Sequence, residues 1–79
     1  MDYIATFFTH SGAVKYKKHM TKLGISVELL PVPRRLSSDC GIGARFSTGW
    51  DIRGLISDDI DKLFLAEKDG EKLLYNSDN

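Results

Sequence analysis

The stretch TGWDIRGLISDDI, residues 48–60, decides the fold. Thr48 or Asp51 can cap a helix, and Ile52, Leu55 and Ile56 then share one face at helical spacing. Gly54 opposes that reading by about 1 kcal/mol relative to alanine, without forbidding it. Read as a helix, the stretch separates one strand before it from apolar runs after it. The chain then follows the order strand, helix, strand, strand, helix, strand.

On its N-terminal side, GIGARFS (41–47) alternates Ile42, Ala44 and Phe46 against Gly41, Gly43 and Arg45, the period of two that marks a strand. ISVELLPVP (25–33) alternates Ile25, Val27 and Leu29 against Ser26 and Glu28. Pro31 and Pro33 lack ladder donors, so this strand is expected to finish near Leu30 and open into a loop. DYIATFF (2–8) is short, aromatic and β-branched, as a buried strand requires. Between these runs, Ala13, Tyr16, Met20 and Leu23 recur at helical spacing. Thr9 or Ser11 can cap that helix, and Gly24 can end it in a left-handed conformation.

On its C-terminal side, DKLFLAEKDGEKLLYN (61–76) holds two apolar runs around Asp69-Gly70, a favoured pair for a tight hairpin turn. The expected fold is α+β: a two-layer, ferredoxin-like sandwich (βαββαβ) with a C-terminal β-hairpin extension. Its helices would cover one face of a mainly antiparallel sheet and leave the other partly wet. At 79 residues the chain is expected to form one small domain, residues 1–79. A composition 42% hydrophobic and 28% charged supports a packed core rather than disorder.

Eleven basic and eleven acidic side chains cancel, which removes the usual electrostatic sign of nucleic-acid binding. The charge is nevertheless unevenly placed. Residues 1–35 hold six basic and two acidic groups; residues 36–79 hold five and nine. No apolar run approaches the roughly 20 residues of a membrane span, and no cleavable signal pattern opens the chain. A single cysteine cannot close an internal disulfide, and the two scattered histidines do not make a zinc site with it. No metal and no cofactor is expected, and a reducing cytoplasm follows as the default location.

That cysteine lies in PRRLSSDCG (33–41), in the loop after the proline-terminated strand. Free cysteines are usually buried among apolar neighbours, but Leu36 is the only large apolar residue among the six before Cys40. An exposed thiol is therefore expected. An ordinary thiol of pKa about 8.5 is only about 3% ionised at pH 7. One arginine at about 5 Å favours the thiolate by roughly 0.8 kcal/mol in water and roughly 3 kcal/mol in a shielded site. Arg34 and Arg35 could thus make Cys40 a usable nucleophile, while adjacent Asp39 opposes them. Ser37, Ser38 and nearby backbone N–H groups suit a small anion-binding nest, and Gly41 allows close approach to the sulfur. Serine and glycine are also ordinary turn residues, and only their coincidence with arginine and cysteine favours a site.

The run YIATFF followed by a helix, then VPRRLSSDCG, resembles the small selenium/sulfur carrier protein-like domains, which carry a strand-ending Pro-Arg, then Leu-Ser, then Cys-Gly. Pro33, Arg34, Leu36, Ser37 and Gly41 match that pattern in turn, and the resemblance extends through about Phe46. The resemblance implies that Cys40 holds transferred sulfur or selenium as a persulfide or selenosulfide. Its implied partners are sulfur or selenium donor and acceptor proteins.

Two other functions compete with a carrier. In one, an open sheet face or edge makes the chain a noncatalytic regulatory or protein-interaction module. In the other, Cys40 is a redox-sensing thiol. Phe7 and Phe8 adjoin opposite sheet faces, so one of them can mark a self-association surface and a homo-oligomer. Lys15, Lys17, Lys18 and Lys22 make the first helix basic, either as a solvated face or as a dock for an acidic partner. His10 could approach the loop from the end of strand one. Trp50 and Tyr3 are expected in core or edge packing.

Overall fold

Why each strand lies where it does follows from how many of its faces are apolar. The computed structural model describes residues 1–32, 36 and 41–77. Its elements are β1 (Asp2–Phe7), α1 (His10–Lys22), β2 (Val27–Pro31), β3 (Ile42–Ser47), a one-turn 3-10 helix (Ile52–Leu55), β4 (Ile60–Glu67) and β5 (Gly70–Asn76). The strands form one antiparallel sheet in the order β2-β3-β1-β4-β5. Tyr3 through Phe7 are all buried, so β1 takes the central position. β2 and β5, which have exposed side chains, form the edges.

The main core lies between α1 and the sheet. Tyr3, Ala5 and Phe7 meet Ala44 and Phe46 from β3, Ile60 and Leu63 from β4, and Ala13, Tyr16 and Met20 from α1. Tyr3 stacks on Phe46 at 5.5 Å between ring centroids, and Tyr16 lies tilted against Phe7 at 5.4 Å and Phe46 at 6.0 Å. α1 is held at both ends by its own sequence. Thr9 Oγ1 accepts from Gly12 N at 3.0 Å. At the other end, Gly24 takes φ +82, its N–H donates to Thr21 O, and Ile25 N donates to Met20 O, a Schellman closure.

Tyr16 links the helix to the segment beyond β3: its hydroxyl donates to Leu55 O at 2.8 Å in a buried setting. Burial pushes the phenol above its ordinary value. Tyr16→Phe leaves the Leu55 carbonyl without that donor and is expected to cost about 1–2 kcal/mol at neutral pH. A raised native pKa stabilises the fold fully below the unfolded value of about 10 and is lost as pH rises toward the native one. Urea titrations should therefore show the gap between wild type and Tyr16→Phe narrowing from pH 9 to 12. A gap that is constant across this range contradicts the assignment.

The sequence-based fold is corrected here. The two-helix, ferredoxin-like βαββαβ sandwich does not form; among the described residues one α-helix packs on a five-stranded antiparallel sheet. Residues 52–55 make only one 3-10 turn. Asp51 caps it by accepting from Arg53 N at 3.0 Å, and the Arg53 guanidinium closes back on the same carboxylate at 2.8 Å. Gly54 supplies no helix propensity at its centre, and Ile56 is already extended at φ −84, ψ 123. Leu55 is buried all the same, so the apolar spacing that suggested a helix is satisfied by one turn. Residues 60–76 then enter the sheet as β4 and β5, joined through Lys68 and Asp69.

Candidate functional site

The connection from β2 to β3 carries the cysteine motif, and three described residues, Val32, Leu36 and Gly41, fix its course. Strand pairing ends at Pro31 opposite Ile42. Beyond it, Val32 N donates to Gly41 O at 3.0 Å, so the loop leaves and re-enters the sheet through one closed neck. Pro31 costs no ladder bond when its missing donor faces outward from the edge strand. Gly41 is exposed at φ +73 with open space where a side chain would stand, so backbone conformation accounts for glycine there. At Gly43 crowding is the reason: an added Cβ would stand 2.5 Å from Val32 Cγ2 and 2.9 Å from Ala5 O.

Leu36 supplies the middle anchor. It is 6% exposed and packs with Ile4 and Phe64, with Val32 and Ala66 alongside. Ile4 alternates with the helix-facing Tyr3 and Ala5, so this second cluster lies on the sheet face away from α1. That face was expected to be partly wet; around Leu36 it is covered. Leu36→Ala is expected to cost about 2–3 kcal/mol, read from urea unfolding. A loss under about 0.5 kcal/mol would show that the loop is not anchored through this side chain.

Of the site residues expected from sequence, only Gly41 is described. Cys40, Arg34, Arg35, Ser37 and Ser38 lie outside the described residues, as do Pro33 and Asp39. His10 opens α1 directly after the Thr9 cap. Phe7 is fully buried and Phe8 is 43% exposed. Tyr3 is core, whereas Trp50, expected in packing, is 52% exposed.

At the same end of the sheet a β-bulge shifts the β1–β4 register between Thr6 and Phe7. There Asp61 is buried, with its carboxylate accepting from Ser77 Oγ at 3.2 Å and from Lys62 Nζ at 3.2 Å. Thr6 Oγ1 accepts from Lys62 N at 3.1 Å. This polar cluster escaped sequence reasoning because a bulge leaves no periodic signal. Among the described residues, no three His, Cys, Asp or Glu side chains converge as a metal-binding group, and no helix is long and apolar enough to cross a membrane.

Fold and loop together define a small single-cysteine α+β protein in which one sheet face carries a helix and the other receives Leu36 from the cysteine-bearing connection. The chain belongs to the family described as "Putative Se/S carrier protein-like", whose model matches residues 2–53. The match runs from β1 through the cysteine loop into the 3-10 turn; β4 and β5 lie beyond it. No curated protein and no solved structure matches the chain.

Proposed function

We propose that the chain is a sulfur or selenium carrier in which Cys40 holds the transferred atom. The carrying observation is the family match, which spans the cysteine loop. The closed neck at Val32 and Gly41 and the Leu36 anchor support it, because they fix the ends and centre of the loop against a rigid sheet. In the sulfur case the Cys40 thiolate attacks the outer sulfur of a donor persulfide, R–S–SH. The donor S–S bond breaks, the donor leaves as R–S⁻, and Cys40 becomes the persulfide with the proton on its terminal sulfur. Arg34 and Arg35 stabilise the attacking thiolate; Ser37 and Ser38 hold the terminal sulfur once it has lost that proton to solvent; Gly41 keeps the approach open. Donor and acceptor proteins are the partners this chemistry requires.

The rate of Cys40 alkylation against pH, followed by intact mass, tests the activated thiol. The expected midpoint lies below the ordinary value of about 8.5 and moves up in Arg34→Ala and Arg35→Ala. A midpoint at or above that value in wild type, unmoved in both variants, removes the nucleophile on which the proposal rests.

A further inference from the structure

We infer that the outer face of α1 is a docking surface for an acidic segment of a partner protein. The helix buries Gly12, Ala13, Tyr16 and Met20. At about 100° per residue, the opposite side centres on Lys18, with Lys22 to one side and Val14, Thr21 and Lys17 to the other. Val14 is 45% exposed, and the three lysines and Thr21 around it are exposed as well. These five residues line one shallow depression.

Among the described residues, the charges on this face are left uncompensated. Lys15, Arg45, Arg53 and Lys62 each pair with a carboxylate, at Asp59, Asp2, Asp51 and Asp61 respectively. Among the described residues no salt bridge reaches Lys17, Lys18 or Lys22. Lys68 and Lys72 sit in a mixed run with Glu67, Asp69 and Glu71, which balances them locally. α1 contains no Asp or Glu, so it has no internal ion pair, and Lys18 and Lys22 repel at i, i+4. Lys22 gains from the helix C-terminus, but Lys17 and Lys18 lie too far from it. A helix that tolerates this arrangement is complementary to carboxylates brought by another molecule.

The apolar side chain at Val14 selects the kind of molecule. Val14 offers a contact for an aliphatic side chain, and no exposed Phe, Tyr or Trp on the face offers stacking to a base. The fitting partner is an amphipathic segment with one aliphatic residue ringed by Asp or Glu. Since α1 and Leu36 lie on opposite sheet faces, such a partner does not reach Leu36, and the inference stands whether or not Cys40 is a carrier.

The test is an NMR titration of the full ¹⁵N-labelled chain with a helical peptide bearing one leucine and glutamates three and four residues to either side. Oligouridylate and phosphatidylserine-containing vesicles are the competing polyanions. Saturable binding is expected, with the largest shifts at Val14, Lys17, Lys18, Thr21 and Lys22. The K17E/K18E/K22E variant should weaken it by about tenfold or more while its helical circular dichroism is retained. Val14→Ser, which keeps every charge and is exposed enough to spare the fold, should weaken it several-fold. Absence of saturable binding, shifts centred elsewhere, unchanged affinity in the triple variant, or tighter binding of oligouridylate or vesicles each overturns the inference.

Discussion

Gly43→Ala is expected to destabilise the chain by about 2–3 kcal/mol, a large share of what a domain this size commands. The added methyl would stand 2.9 Å from the Ala5 carbonyl, a backbone group in the central strand that cannot yield without disturbing the β1–β3 ladder. It would also stand 2.5 Å from Val32 Cγ2, so relief requires the Val32 side chain to move off the sheet face and disturbs the loop neck. A shift of this size lowers the melting temperature by roughly 10–20 °C. Gly49→Ala is the control, because nothing lies within 4 Å of its added methyl. Equal melting temperatures for the two variants would show that Val32 does not press on Gly43.

Gly43 also marks how far the sequence could be read. The space left by its missing side chain is filled by Val32. The filling depends on strand register and on the path of the loop, neither of which a period of two encodes. By contrast, α1 was legible because its limits are local: Thr9 accepts a bond three residues away, and Gly24 alone readily adopts the closing conformation. Residues 48–60 misled because one turn places Ile52 and Leu55 as a longer helix would, and what decides between them is where Tyr16 and the sheet meet Leu55. Leu36 gave a usable signal, since a lone large apolar side chain in a polar loop needs somewhere to be buried. The family was legible in the N-terminal part of the chain, and its model matches residues 2–53, while β4 and β5 fall outside the matched stretch.

Cys40→Ser is expected to abolish chalcogen loading, the largest effect predicted for any single substitution. Serine keeps the size and loop chemistry of the residue, so folding and the α1 surface should be unaffected. The oxygen cannot form the sulfur–sulfur bond that holds the cargo, and the chain contains no second cysteine to replace it. Arg34→Ala and Arg35→Ala should slow loading without abolishing it, because they change the thiolate fraction and leave the sulfur in place.

The most direct measurement is the intact mass of the chain after incubation with a low-molecular-weight persulfide donor and removal of excess donor. Wild type is predicted to gain about 32 Da, reversible by dithiothreitol and located at Cys40 by peptide mapping, with Cys40→Ser unchanged. Wild type that never gains this mass while its thiol remains free, or an adduct that persists in Cys40→Ser, would contradict the carrier.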